Sequence, residues 1–278
     1  MRRLLLLASL FVALTCLSFL GLGAESVYAQ EAEPMDVEVP FLLQWMESAH
    51  ADAEAEAFRH WDEDDPAVIP ENCAKCHSSS GYIDFHGADG SEAGVVDAPV
   101  PVDPSEVVDC VACHNSATIH KDSVVMPSGI ELTGLGDEAR CMECHQGRQS
   151  KIGVDAIIEE LGLEDVDAVS EELGFQNIHY HAAAATKYGT LAKGGYEYDF
   201  DMYDGNFAHA EGFETCIECH TPHTLELKLD DCATCHEDVA EVEDLREVRM
   251  QGSMVDYDGD GDVDEGIYYE LIGMQEML

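Results

Sequence analysis

Apolar side chains in this chain are grouped into short segments, and long polar and acidic stretches separate them. Residues 41–61 predict a helix. Residues 154–161 and 166–173 repeat apolar side chains at helical spacing with acidic residues between them, which predicts two amphipathic helices. Residues 268–278 predict a short helix at the end of the chain. These patterns favour a mainly helical fold with long loops.

Two segments have the two-residue alternation that is typical of strands. Residues 124–126 and 130–132 flank the turn-forming sequence Pro-Ser-Gly at 127–129, which predicts a β-hairpin. Aromatic side chains alternate with polar ones over residues 196–200 and predict another short strand. The expected fold class is therefore mainly α, with long loops and a few short β-hairpins.

The beginning of the chain resembles a secretory signal peptide. Two arginines precede an apolar run over residues 4–22, and small and polar residues lead to Ala29, after which cleavage is expected. An uncleaved membrane anchor is the alternative, because the run is almost long enough to span a bilayer. Cys16 lies within the run and would be lost on cleavage. We expect an exported protein, in the periplasm or at the extracellular surface, whose mature part does not insert into the membrane.

The charge balance excludes two classes of partner. Aspartate and glutamate number 58 against 13 lysines and arginines, so the formal net charge is −45. Nucleic-acid backbones are bound through lysine and arginine, so a nucleic-acid partner is not expected. An anionic membrane surface would repel the chain for the same reason. The acidity could steer a basic partner, bind divalent cations or suit a saline habitat, and the sequence does not choose among these.

Ten of the eleven cysteines fall into five copies of the pattern Cys-x-x-Cys-His, which is the attachment signature of c-type haem. Two cysteines three positions apart lie on one side of a helical turn, where both sulfurs can bond the vinyl groups of one porphyrin, and the next histidine can ligate the iron. The five motifs, numbered in chain order, are Cys73-Ala-Lys-Cys76-His77, Cys110-Val-Ala-Cys113-His114, Cys141-Met-Glu-Cys144-His145, Cys216-Ile-Glu-Cys219-His220 and Cys232-Ala-Thr-Cys235-His236.

Two other uses of paired cysteines fit the sequence less well. Zinc sites also contain Cys-x-x-Cys pairs, but they do not require a histidine directly after each of five pairs. Disulfides are common in secreted proteins, yet cysteines three apart rarely bridge each other, and pairing between motifs would leave the five histidines unexplained. Covalent haem accounts for all fifteen motif residues.

On these motifs the chain, from about residue 70 to 236, resembles the multihaem c-type cytochromes of bacterial respiratory chains, specifically a pentahaem one. The resemblance implies five covalent haems c, electron transfer with other redox proteins, and maturation outside the cytoplasm. Five haems in this length leave too few residues for separate ordinary cores. We therefore expect stacked haems to form most of the core, with short helices at the motifs.

Eight histidines remain outside the motifs and are candidates for the sixth iron ligand. The resemblance favours two histidines on each iron, which implies low reduction potentials. By local sequence the favoured ligands are His50, His60, His179, His181, His209 and His223, while His86 and His120 have less context. Methionine would raise the potential, and the nearest candidates are Met126, Met142 and Met202.

The C-terminal segment carries an acidic loop that resembles an EF-hand calcium loop. Acidic side chains recur at alternate positions, with Gly261 at the sixth position, and they are Asp256, Asp258, Asp260, Asp262 and Asp264. Ile267 stands where the loop normally has a bidentate glutamate, so Asp264 or Glu265 would have to complete the shell. A solvated acidic turn is the alternative. The predicted organisation is a signal peptide over 1–29, a pentahaem domain over 30–250, and this loop with its helix over 251–278.

Three functional hypotheses follow from the sequence. The first is an electron carrier with six-coordinate haems, and it is favoured because eight histidines are available for five irons. The second is a reductase or oxidase of a small nitrogen or sulfur compound, which needs one open iron near acid–base groups such as Arg148, Lys187 or Tyr188. The third is a subunit of an extracellular cytochrome filament, a homo-oligomer in which a histidine of one copy ligates a haem of the next.

Overall fold

Short helices make up most of the regular structure of the described residues, and long loops join them. A computed structural model describes residues 38–165, 167–198, 201–206, 208–250 and 252–278. The predicted signal peptide, Val166 and Phe200 lie outside these ranges. Residues 41–278 group into one unit by their contacts. Within the described ranges, no helix combines the length and the apolar character needed to cross a bilayer.

Five of the eleven α-helices in the described residues contain residues of a cysteine motif. In chain order the α-helices are α1 (Leu42–Met46), α2 (Glu56–Arg59), α3 (Glu71–His77), α4 (Ser79–Phe85), α5 (Cys110–Cys113), α6 (Glu138–Cys144), α7 (Lys151–Glu160), α8 (Ala183–Tyr188), α9 (Cys216–Cys219), α10 (Leu229–Cys232) and α11 (Ile267–Met277). Short 3₁₀ helices occur at Ala49–Ala51, Gly189–Leu191 and Val242–Glu247. The predictions of short motif helices, of a helix over 154–161 and of a C-terminal helix are confirmed.

Local capping explains where several of these helices begin. The hydroxyl of Ser78 accepts a hydrogen bond from the backbone N–H of Gly81 and starts α4. Ser150 caps α7 in the same way through Gly153, which places the start of that helix three residues before the apolar pattern. Gly81 also allows α4 to approach α3, because a Cβ there would lie 2.4 Å from the carbonyl oxygen of Ala74.

Two small antiparallel pairs of strands accompany the helices. Strands β3 (Ser123–Val125) and β4 (Glu131–Thr133) pair with Val124 opposite Leu132, so the predicted hairpin is confirmed. Strands β1 (Val68–Ile69) and β2 (Val100–Pro101) form the other pair. These two strands are only two residues long and lie far apart in the chain. An alternation of apolar and polar residues cannot be recognised over so short a segment, so the sequence did not predict them.

Three predicted elements are wrong. Residues 41–61 form α1, a 3₁₀ turn and α2 instead of one helix, because the backbone is extended at Ser48 and Ala55. The hydroxyl of Ser48 donates to the carbonyl of Trp45 at 2.7 Å, and such local side-chain bonds compete with helix continuation. Residues 167–173 contain turns and no helix, and residues 196–198 are not a strand.

Two small groups of buried apolar side chains hold the motif helices. The first packs Ala139 and Met142 of α6 against the β3–β4 hairpin and α8. The second packs Ala74 of α3 against Trp61, Ile69 and Val96. Both groups include residues from within or beside a Cys-x-x-Cys-His motif, so the apolar packing positions the motifs. The expectation that haems form most of the core stays a prediction.

Candidate functional site

The cysteines of the five motifs are available for covalent attachment. Each of the ten described cysteines is a free thiol, and none of them forms a disulfide. Most are half-buried and lie on short helices that begin at or just before the first cysteine, as α5 and α9 do.

The third motif is in contact with the first, the second and the fourth motifs. The Cys76 thiol donates to the carbonyl of Glu143 at 3.9 Å and the Cys144 thiol donates to the carbonyl of Lys75 at 3.8 Å, which joins the first motif to the third. The backbone N–H of Cys216 donates to the carboxylate of Glu138, the first residue of α6, at 3.2 Å, which joins the helix of the third motif to the fourth motif. Arg140, directly before the third motif, donates to the carbonyl of Cys113 in the second motif at 3.5 Å.

The fifth motif contacts the fourth. The backbone N–H of Lys228, just before α10, donates to the carbonyl of Cys219 at 2.9 Å. The Lys228 ammonium group also donates to the carbonyl of Ile217, at 2.8 Å. The order of contact between motifs is therefore first, third, fourth and fifth, with the second beside the third.

Three motif histidines are oriented by backbone carbonyls. The Nδ1 atoms of these histidines lie within hydrogen-bonding distance of one carbonyl oxygen each, His77 with Ala57 at 2.7 Å, His145 with His181 at 3.1 Å and His220 with Leu225 at 2.8 Å. A carbonyl oxygen can only accept, so each Nδ1 carries the proton. Nε2 then has its lone pair available for a metal, which is the usual arrangement for a ligating histidine.

Four motif histidines each face a histidine from outside the motifs. The ring centres are 5.9 Å apart for His77 and His179, 6.3 Å for His114 and His223, 6.3 Å for His145 and His50, and 6.1 Å for His236 and His209. Two imidazoles that bind one iron from opposite sides have ring centres about 6 Å apart, because each nitrogen lies about 2 Å from the metal. The ring-centre distances at four of the motifs are therefore those expected for a metal with two histidine ligands.

The remaining candidate ligands are placed differently. The ring of His181 lies 6.5 Å from that of His145 and almost perpendicular to it, on a residue whose carbonyl already orients His145. His60 is exposed and bonds Glu56 at 2.9 Å. Among the described residues, no histidine ring pairs with His220 in the way that the other four pair. His86 packs against Tyr82 and has a buried Nε2 without a hydrogen-bond partner.

Burial keeps several of these histidines in the neutral form that a metal requires. Burial, and then the nearby His145, lower the pKa of His50 to about 4. Burial also lowers the pKa values of His77, His145 and His179 below that of a free histidine. These four imidazoles are uncharged at neutral pH, so their nitrogen lone pairs are available for ligation.

Two buried glutamates on α6, Glu138 and Glu143, were not identified from the sequence. The Glu143 carboxylate pairs with the ammonium groups of Lys75 at 2.9 Å and Lys121 at 2.8 Å, and its side chain is 3% exposed. Glu138 is equally buried and pairs with Lys187. Acidic residues are frequent everywhere in this chain, so nothing in the sequence distinguished these two from the solvated ones.

Carboxylates in the C-terminal loop come together in two groups. Asp256, Asp258 and Asp260 place carboxylate oxygens within 4.8 Å of one another, and Asp258 does the same with Glu265 and Glu270. Glu270 belongs to α11 and lies three residues beyond the position where an EF-hand has its closing glutamate. Among the described residues, Asp262 and Asp264 belong to neither group. Calcium binding by this loop stays a prediction.

Comparison with known proteins gives no relative for this chain: no family model, no curated protein and no solved structure matches it.

Proposed function

We propose that this chain is an exported pentahaem c-type cytochrome that carries electrons between other redox proteins. The observation that supports it most is the pairing of four motif histidines with four other histidines at ring-centre distances of 5.9 to 6.3 Å. Nothing in a structural or zinc role would require a second imidazole at that separation. Haem c supplies one-electron chemistry when it is bound.

The residues of this chain hold and orient the proposed haems. Free thiols at each motif attach the porphyrins, and the carbonyl contacts to Nδ1 direct Nε2 of three motif histidines toward the metal. The assigned second ligands are His179 for the first motif, His223 for the second, His50 for the third and His209 for the fifth. Two histidines on one iron favour low reduction potentials, and a haem saturated in this way transfers electrons without binding a substrate.

The fourth motif supports a second candidate function. The ring of His220 has no paired imidazole among the described residues, so the haem there is the one with an open position in this arrangement. An open iron would bind a small anion or gas and would make the protein a reductase of a small nitrogen or sulfur compound. The filament alternative would instead supply the missing histidine from another copy of the chain.

Spectroscopy on the mature, haem-loaded protein tests these proposals. We expect the mass of five haems per chain and low-spin electron paramagnetic resonance signals from four of them. Addition of nitrite separates the two candidates, since only an open iron changes its signal. Fewer than five haems in the purified protein, or high-spin signals from several of them, would contradict the proposed carrier.

Ligand variants make the assignment specific. Replacing His223 with alanine should convert one haem from low spin to high spin, because the second motif loses its facing imidazole. The matched control is His60→Ala, which removes an exposed histidine that bonds Glu56 and should leave all low-spin signals unchanged. A high-spin haem in the His60 variant, or none in the His223 variant, would show that the pairing is assigned incorrectly.

A further inference from the structure

One buried carboxylate lies between the third and fourth motifs. Glu138 is the first residue of α6, and its side chain is 3% exposed. The carboxylate accepts hydrogen bonds from the Lys187 ammonium group at 2.6 and 2.7 Å and from the Tyr188 hydroxyl at 2.9 Å. It also accepts one from the backbone N–H of Cys216 at 3.2 Å. A single side chain thus joins α6, α8 and α9.

The position of this carboxylate is close to a haem attachment point. The Cys216 sulfur lies 3.5 Å from Oε2 of Glu138. In the proposed function Cys216 is bonded to the porphyrin edge of the fourth haem. The Glu138 charge is therefore held beside that porphyrin, in an interior where charges interact more strongly than in water.

The cluster contains two opposite charges that should act on the reduction equilibrium with opposite sign. Reduction adds one electron to the iron and neither forms nor breaks a bond. A nearby negative charge disfavours the added electron, and a nearby positive charge favours it. Glu138 should therefore lower the potential of the fourth haem, while Lys187, and more weakly the Tyr188 hydroxyl, should raise it by offsetting the carboxylate.

We propose that Glu138, with Lys187 and Tyr188, sets the reduction potential of the haem attached to Cys216 and Cys219. This inference rests on the proposed function and adds a tuning device to it. The fourth haem lies between the third and the fifth in the order of contact between motifs, so its potential governs passage along that part of the chain of haems.

The test is a potentiometric titration of the mature haem-loaded protein, followed by optical and electron paramagnetic resonance spectra. Glu138→Gln should shift one of the five midpoint potentials upward, by on the order of a tenfold change in the reduction equilibrium constant. Lys187→Gln should shift the same potential downward. The matched control is Glu214→Gln, which removes an exposed charge two residues before Cys216 and should leave the potentials nearly unchanged because water screens that charge.

Opposite shifts distinguish tuning from a structural role. A role in packing alone would leave the potentials of correctly loaded protein unchanged or move them in the same direction in both variants, and either result would overturn the inference. If Glu138→Gln does not load haem, Tyr188→Phe serves instead, because it keeps the ring and removes only the hydrogen bond to the carboxylate. It should shift the same potential downward, and an unchanged potential would contradict the inference. A wild-type protein without five haems would refute the proposed function itself.

Discussion

Replacing Glu143 with glutamine should weaken the contact between the first and third motif helices. The carboxylate is buried and pairs with Lys75 of α3 and with Lys121, so the change leaves two ammonium groups without their counter-charge. Loss of one partner from a buried ion pair costs about 3–5 kcal/mol. Both lysines keep some exposure, 21% and 15% of their side chains, and can turn toward water. We therefore expect the lower end, about 3 kcal/mol.

The pH dependence of this loss follows from the pKa of Glu143. Burial raises the pKa, but the attraction of Lys75 and the hydrogen bond from Lys121 outweigh burial and hold the pKa below that of a free glutamate. A group with a lower pKa in the folded state stabilises the protein above its unfolded pKa, which is about 4.3. The stabilisation is lost as the pH falls through the lower folded pKa. The difference between wild type and variant should be complete at pH 7 and should decrease below about pH 4.

The loss of stability in Glu143→Gln can be measured by denaturant unfolding of the haem-loaded protein, with circular dichroism as the signal. Glu160→Gln is the matched control, since it removes an exposed glutamate at the end of α7 and should change stability by less than about 0.5 kcal/mol. Replacing Glu143, Lys75 and Lys121 all three by apolar residues should recover most of the lost stability, because well-packed apolar side chains can replace a buried group of ions with little change in the free energy of unfolding. A loss below about 1 kcal/mol in Glu143→Gln at pH 7 would refute the reasoning.

Three further predictions concern other parts of the fold. Calcium should raise the Tm of the mature protein, and Asp258→Asn should abolish most of that rise, because Asp258 belongs to both carboxylate groups of the described residues. Asp264→Asn, at a residue that is in neither group, should keep the rise, and an equal Tm response of the two variants would contradict the prediction. Gly81→Ala should cost about 2 kcal/mol in denaturant unfolding, because its Cβ would collide with the Ala74 carbonyl and the two helices must separate; an unchanged midpoint would contradict the close approach. Ser150→Ala should cost about 1 kcal/mol through the lost cap of α7, as measured in the same assay, whereas Ser150→Thr should keep most of it.

Local signals in the sequence predicted some elements well. The hairpin at β3 and β4 was found because both strands and their turn lie within eleven residues and obey one alternation. The helix over residues 41–61 was wrong because apolar content alone does not reveal that Ser48 bonds the backbone and extends it. A pattern thus indicates which residues are to be buried, while single polar side chains decide whether a helix continues.

The candidate ligands illustrate the same limit at the site. Each motif histidine was identified from the Cys-x-x-Cys-His pattern, whose five consecutive residues have a fixed spacing along the chain. The second histidines come from distant segments, and the sequence ranked His60 and His181 with the others. The structure places His50, His179, His209 and His223 opposite motif histidines and leaves His60 exposed beside Glu56. No spacing rule could make that distinction.

The sequence by itself determined the five Cys-x-x-Cys-His motifs, the acidic charge and the mainly helical character, because each of these depends on composition or on residues a few positions apart. The tertiary structure decided which histidines face each other, which motifs are in contact, and that Glu138 and Glu143 are buried among lysines. Those features depend on which distant segments pack together, and burial changes the energy of a charge far more than its place in the chain does.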